Sequence, residues 1–371
     1  MSWIKSILVF LFLSLCTLKV ADLAFYAVLQ SDGNWDELRS GKRNIQPREH
    51  DPNQDVNILP GDLYMEQTDG LIKKEYKISI DENGFIRNSN PPITTEDMTI
   101  AFIGGSTTET IYVDEKNRFP SVVERQLRNK LSKNIRTINA GVSGNNSLHS
   151  LLNFLAKILP QNPDIAILMN NINDFAQLSK TGSYWIAPSS RSLITNTENS
   201  QQLTLNGILR HIKNLMIPNL YNYIKPRLFP GLVISDEFSE YRDKRVNENS
   251  SKILTMFESS LKSFVEVCNA WGVKPILMTQ FNRININDPL YISWITEMGF
   301  PNEAKDVEIL YSAMNEVVRK VAAETNTDLI DLANQVPRTS DFIYDVVHVN
   351  DKGSRLVGDI ISKKIVEILG N

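Results

Sequence analysis

Met98 to Thr108 reads MTIAFIGGSTT, a short and almost wholly apolar run closed by two glycines, a serine and two threonines. An apolar run of this length bounded by glycine fits a buried strand, and the glycines let the chain turn tightly where the strand ends. Apolar residues at three- and four-residue steps follow from Pro120 to Leu131, the pattern of a helix with one buried face. Ile135 to Ala140, Asp164 to Asn170, Val273 to Thr279 and Asp328 to Leu332 read as further strands. Leu148 to Leu159, Ser251 to Trp271, Asp306 to Thr325 and Lys352 to Leu369 read as further helices. Alternation of this kind predicts an α/β fold with helices on both faces of a parallel sheet. The expected form is a flavodoxin-like three-layer sandwich with five strands in the order 2-1-3-4-5.

The bulk composition narrows the function classes. Of 371 residues, 42% are apolar and 22% charged, so most of the chain can bury a core. A chain this long holds one large domain with appendages or two ordinary ones, and the single β-α series favours the first. The formal charge of −4 leaves no basic surplus to neutralise a phosphate backbone, so no nucleic acid is expected as a partner. Two cysteines, Cys16 and Cys268, make no disulfide framework, and no Cys/His spacing suits zinc. Neither a metal nor another cofactor is expected, and Cys268 reads as a small buried residue.

Three regions stand outside the β-α series. Ser6 to Leu18 (SILVFLFLSLCTL) lies behind Lys5, and Ala21 to Leu29 (ADLAFYAVL) prolongs it to about bilayer length. With no small-x-small cleavage site after it, residues 1–30 read as an uncleaved signal anchor. The positive end at Lys5 places the remainder on the periplasmic or extracellular side, or makes it secreted if cleavage occurs. Residues 31–95 read as a charged stalk from Ser31 to Asn57 and a small β accessory region, with a hairpin at Asn83-Gly84 inside Glu75 to Arg87 (EYKISIDENGFIR). The main domain is expected over 96–371, interrupted by a long insertion at about 175–249. Within that insertion, Ile208 to Val233 mixes basic and apolar residues, a pattern that fits a membrane-resting segment, a lid or a helix packed on the domain.

A hydroxyl nucleophile needs a base, an acid to orient the base, and donors for the oxyanion. Ser106 follows the first strand behind Gly104-Gly105, and no Gly-Lys-Ser/Thr follows to suggest a phosphate loop. Asn139 to Asn145 (NAGVSGN) follows the second strand and Asn171-Ile172-Asn173-Asp174 the third. In a 2-1-3-4-5 sheet the loops after these three strands converge at the switch point, where the backbone amides of Ser106 and Gly144 and the Asn173 side chain can face one oxygen. Asparagines in such places also bond their own turns. Near the C-terminus, Asp345 stands three residues before His348, close enough to fold back and hold the imidazole. Asp351 is a candidate cap for the helix that follows. His50, His149 and His211 lie in the stalk, on a helix and in the insertion, without such an acid beside them.

The four blocks, in order and at strand ends, resemble those of the SGNH hydrolases, the GDSL-like lipases and esterases, from about Thr99 to the C-terminus apart from the insertion. The resemblance implies Ser106 as nucleophile, His348 as base, Asp345 as orienting acid, and Ser106, Gly144 and Asn173 as the oxyanion hole. It implies a serine esterase, and with the reading of residues 1–30 an exported, membrane-anchored one, acting on O-acyl esters of a small molecule, an acylated envelope carbohydrate or a lipid. Gly105 replaces the aspartate of the usual Gly-Asp-Ser, and Asn171 replaces the glycine of the usual Gly-x-Asn-Asp. Two alternatives share the scaffold: an acyltransferase passing the acyl group to a sugar hydroxyl, and a binding module without turnover. An α/β-hydrolase would carry Gly-x-Ser-x-Gly, whereas Thr108 stands at the last position here.

Overall fold

The computed structural model describes residues 43–93, 95–186, 192–196 and 250–370, together with isolated residues between 10 and 20. Its strands are β1 Arg43–Ile45, β2 Asp55–Ile58, β3 Tyr76–Ser79, β4 Met98–Gly104, β5 Ile135–Gly141, β6 Ile165–Met169, β7 Ile194–Asn196, β8 Lys274–Met278 and β9 Asp328–Ile330. Its α-helices from residue 46 onward are α1 Asp62–Glu66, α2 Ser106–Glu109, α3 Phe119–Leu131, α4 Ser147–Asn153, α5 Ile172–Thr181, α6 Ser250–Ala270, α7 Pro289–Glu297, α8 Ala304–Glu324, α9 Leu332–Gln335 and α10 Asp351–Gly370. The chain divides into two units, residues 1–45 with 194–224 and residues 46–193 with 225–371. In the first unit β1 pairs antiparallel with β7.

The second unit is built on a five-stranded parallel sheet of order β5-β4-β6-β8-β9, which is 2-1-3-4-5 when the sheet's own strands are counted. Side chains alternate between two cores, as the two-residue period of a strand requires. Ile100, Phe102, Ile165, Ile167 and Ile276 pack with Phe119, Val123, Val357 and Ile361 of α3 and α10. Ala101, Ile103, Ala166, Leu168 and Leu277 pack with Phe257, Phe264, Met314 and Val318 of α6 and α8. Burial on both faces explains why these strands read as continuous apolar runs, and each fully buried large apolar side chain contributes about 1.5–3 kcal/mol. Gly104 stands opposite both Gly141 and Met169, so β5, β4 and β6 end level and their loops open onto one patch.

Several expectations are corrected. The sequence did not indicate that Tyr76–Ser79 also pairs antiparallel with Asp55–Ile58. The hairpin at Asn83-Gly84 is present, with Ile80 facing Ile86 antiparallel across it and the Arg87 amide donating to the Ser79 carbonyl at 2.8 Å. That turn is closed by Asp81 Oδ1, which accepts from the amides of Asn83 and Phe85, both at 2.9 Å. Its return arm donates from the Ile86 amide to the Asn139 carbonyl at 3.1 Å, because β5 is the open edge of the sheet and has carbonyls to satisfy. Residues 46–57, read as the end of a stalk, lie on the domain: Arg48 Nη2 donates to the Ser143 carbonyl at 3.0 Å, and the Arg48 carbonyl accepts from Asn153 Nδ2 at 2.8 Å. The helix expected over 148–159 leaves α geometry after Asn153, with a π turn at Phe154–Ile158 and a 3-10 turn at Leu159–Gln161. Asp351 does not cap α10, since its carboxylate accepts from the Asp114 amide, and Asn350 Oδ1 takes the Gly353 amide in its place.

The excursion expected from Phe175 onward begins inside α5, and most of it lies outside the described residues, the segment 208–233 and His211 included. The expected anchor at 1–30 also lies almost wholly outside them. Among the described residues no helix is long and apolar enough to cross a membrane. Cys268, on the buried face of α6, lies in the core, and burial pushes its thiol up to about 12.

Candidate active site

Ser106 is the first residue of α2, directly beyond the carboxyl end of β4, so its amide is one of those without an intrahelical acceptor. Its Oγ lies 2.8 Å from His348 Nε2, and His348 Nδ1 lies 2.6 Å from Asp345 Oδ2. The three-residue step works as a local fold. Asp345 Oδ1 accepts the backbone amides of Val347 at 2.8 Å and His348 at 2.7 Å, which bends the carboxylate back onto its own turn. The Tyr344 amide closes that turn on the His348 carbonyl at 2.8 Å, and the Tyr344 ring lies parallel to the imidazole, 5.8 Å away at 14°.

An ionised carboxylate only accepts, so the proton sits on Nδ1 and Nε2 faces Ser106 as an acceptor. Burial alone would raise the Asp345 carboxyl. The facing His348 charge and the imidazole and amide hydrogen bonds outweigh it, and the group is held below the usual carboxylate value. Burial alone would lower His348, but the Asp345 charge and hydrogen bond, with Glu109 adding to them, hold it above the usual imidazole value.

Ser106, Gly144 and Asn173 are gathered beside this line. Gly144 takes φ +81°, which only glycine adopts at little cost, inside a turn closed by the Asn145 amide on the Val142 carbonyl. Asn173, the second residue of α5, donates from Nδ2 to the Asn145 carbonyl at 2.9 Å. A Cβ on Gly105 would overlap Asn173 Nδ2 and crowd the Asn145 carbonyl. Ser106, Gly144, Asn173, Asp345 and His348 are all half-buried, so none is sealed from solvent.

Residues that the sequence did not single out support this patch. Gln280, buried beyond β8, donates to Thr107 Oγ1 at 2.8 Å and accepts from the Ile172 amide at 2.9 Å, tying the turn after β4 to the start of α5. Buried Glu109 accepts from the Ser143 hydroxyl and lies 3.0 Å from His50 Nε2. Arg283 donates to the Ile343 carbonyl and, through its amide, to the Val346 carbonyl, which holds the turn bearing His348. Gln280 and Arg283 follow a strand end as polar residues, the one signal available for them. Glu109 and His50 offered none.

The other candidates fall elsewhere. Asn139 bonds its own turn, its Oδ1 taking the Gly141 amide at 3.1 Å. Asn171 is buried and donates to the Tyr311 carbonyl at 3.3 Å, away from Ser106. His149 is buried in the capping box of α4, its Nδ1 2.7 Å from Asn146 Oδ1. Among the described residues no group of three or more His, Cys, Asp or Glu side chains is placed to hold a metal ion.

A parallel α/β sheet with serine, glycine, asparagine and histidine blocks at its strand ends is the SGNH hydrolase fold. Residues 102–356 match the GDSL-like lipase/acylhydrolase family, and the chain belongs to that family. Similar solved structures include the acetyl xylan esterase AlAXEase, 17% identical over 72% of this chain and 100% of that one, with a TM-score of 0.42. A lipase/acylhydrolase from Enterococcus faecalis is 15% identical over 73% of this chain and 96% of its own, with a TM-score of 0.42. The acetylxylan esterase Axe2 from Geobacillus stearothermophilus is 18% identical over 73% of this chain and 94% of its own, also with a TM-score of 0.42. No curated protein matches the chain.

Proposed function

We propose that this chain hydrolyses O-acyl esters through an acyl-enzyme on Ser106. The observation that carries the reading is the unbroken line from Ser106 Oγ through both nitrogens of His348 to Asp345, with steps of 2.8 and 2.6 Å. Ser106 Oγ attacks the ester carbonyl carbon while His348 Nε2 takes its proton. The amides of Ser106 and Gly144 and the side chain of Asn173 receive the negative oxygen of the tetrahedral intermediate. His348 returns the proton to the alcohol oxygen as the C–O bond breaks, and the acyl group stays on Ser106. Water then attacks the acyl carbon, gives its proton to Nε2, and the carboxylic acid departs as the proton returns to Oγ. Asp345 remains ionised throughout and orients the imidazole.

The substrate class is an acyl ester on an envelope carbohydrate or lipid. Residues 1–30 act as a membrane anchor with the domain outside the cytoplasm, a reading supported by the apolar run behind Lys5. A panel of chromogenic esters from acetyl to long acyl, run with an acylated glycan on wild type and Ser106→Ala, tests the activity. Free acid from wild type alone supports hydrolysis; transfer of the acyl group to a sugar hydroxyl in place of water overturns it in favour of an acyltransferase. Fractionation tests the anchor, and a soluble, shortened product would overturn it.

A further inference from the structure

Helix α1 and the loop behind it lie outside the matched residues 102–356, yet they bear directly on the turn that carries Asp345 and His348. Tyr64 Oη donates to Asp345 Oδ2 at 3.3 Å and lies 3.3 Å from Tyr344 Oη. Its ring meets Tyr344 edge-on at 6.4 Å and Tyr112 at 5.2 Å. Three residues past α1, the Asp69 amide donates to the Tyr344 carbonyl at 3.0 Å, and the Asp69 carboxylate takes the Arg283 guanidinium on both oxygens. A Cβ on Gly70 would overlap the Ser340 carbonyl, so this loop is seated against the same turn.

A carboxylate offers about four acceptor positions. At Asp345 three are filled from its own turn, by the Val347 and His348 amides and by His348 Nδ1. The fourth is filled by Tyr64, a residue 281 positions away in the chain. We infer that Tyr64 is a positioning residue of the reaction: its hydroxyl completes the hydrogen bonding of Asp345 and, with Tyr344, fixes the plane in which His348 meets Ser106. The region ahead of the matched domain thereby completes the active site. The inference rests on the hydrolytic reading above.

Its physical content is a sign as well as a geometry. The Tyr64 hydroxyl draws negative charge from the oxygen that Asp345 shares with His348. Removing it concentrates charge on that oxygen, strengthens the hold on the imidazolium and raises the pH at which His348 becomes a free base. The charged and titratable groups facing this pair are Tyr344 on the same turn, Glu109 on α2 and Tyr64 on α1, while Tyr112, three residues past α2, faces the two tyrosines. Only Tyr64 changes in Tyr64→Phe, and its ring packing is retained.

The test uses the full chain with p-nitrophenyl acetate and follows, in parallel, the low-field Nδ1 proton of His348 by NMR. Tyr64→Phe is expected to lower kcat about tenfold, the scale of one hydrogen bond to a charged group. KM should stay within about twofold and the rising limb of the pH profile should move to higher pH. In an Asp345→Asn background the same change should add less than about twofold, since its target is gone. An unchanged kcat, pH limb and proton resonance, with only a lower Tm, would overturn the inference and leave Tyr64 as packing. If wild type shows no turnover, the hydrolytic reading fails, while the proton resonance still decides the role of Tyr64.

Discussion

The side-chain amide of Asn173 occupies the space that a Cβ on residue 105 would need. Glycine therefore stands at 105, where the Gly-Asp-Ser pattern has aspartate, because the loops after β4 and β6 meet without room for a side chain. Gly105→Ala and Gly105→Asp should both push Asn173 off the Asn145 carbonyl and lower kcat to the level of Asn173→Ala. Combining Gly105→Ala with Asn173→Ala should cost little more than either alone. Full turnover of Gly105→Ala on a chromogenic acetate ester would show that Asn173 is not needed where it lies.

An oxyanion donor acts mainly in the transition state. Asn173→Ala should thus lower kcat by about 10²- to 10³-fold with KM within a few-fold. Asn171→Ala should do the reverse. Its buried amide bonds the Tyr311 carbonyl, so its loss costs about 1–3 kcal/mol of stability and leaves turnover close to wild type. Paired kinetics and thermal melts separate the two, and a greater loss of turnover at Asn171 would move the oxyanion role by two residues.

His348 must be neutral to accept the Ser106 proton, and its environment holds it above the usual 6.5. The rising limb of kcat/KM should therefore have a midpoint above pH 6.5 in wild type and a lower one in Asp345→Asn. The same pair gives a stability window. The raised imidazole stabilises the fold below its unfolded value of 6.5, and this is lost as pH rises through the folded value. The lowered Asp345 carboxyl stabilises the fold above its unfolded value of 3.8, and this is lost as pH falls through the folded value. The Tm advantage of wild type over Asp345→Asn should accordingly be largest between about pH 4 and 6.5; a flat difference from pH 3 to 9 would contradict the pairing.

Asp174 is fully buried, and burial pushes its carboxyl up to about 6 against the pull of hydrogen bonds from Tyr184 and the Ser147 amide. A raised carboxyl favours the fold below its unfolded value of 3.8, and that contribution is lost as pH rises through about 6. Asp174→Asn keeps an acceptor for both donors and ionises at no pH. Its Tm relative to wild type should rise from pH 4 to pH 7, and a difference independent of pH would show that Asp174 is not titrating there.

What was legible in the sequence follows physical range. Strands buried on both faces, such as Ile100 to Ile103 and Ile165 to Met169, advertise themselves as apolar runs, and the helices between them carry one apolar stripe each. Ser106 and the Asp345 to His348 step were legible because each is a local arrangement of small or polar residues at a strand or helix end. The hairpin at Asn83-Gly84 was legible too, but the pairing of β3 with β2 and of Ile86 with the edge of β5 was not, because a turn motif does not say which further edge is open. Tyr64, Arg48 and Glu109 were illegible for the same reason at longer range. Their chemistry arises from contacts with residues 281, 95 and 34 positions away, and charged or aromatic residues in a polar stretch read as solvated until the fold supplies their partners.

Covalent labelling reads out whether Ser106 is a nucleophile activated by His348. The full chain is treated with a fluorophosphonate, and the modified peptide is located by mass spectrometry. One adduct is expected, on Ser106 Oγ, absent in Ser106→Ala and formed orders of magnitude more slowly in His348→Ala. An adduct on Ser143, a label retained in Ser106→Ala, or an undiminished rate in His348→Ala would contradict it.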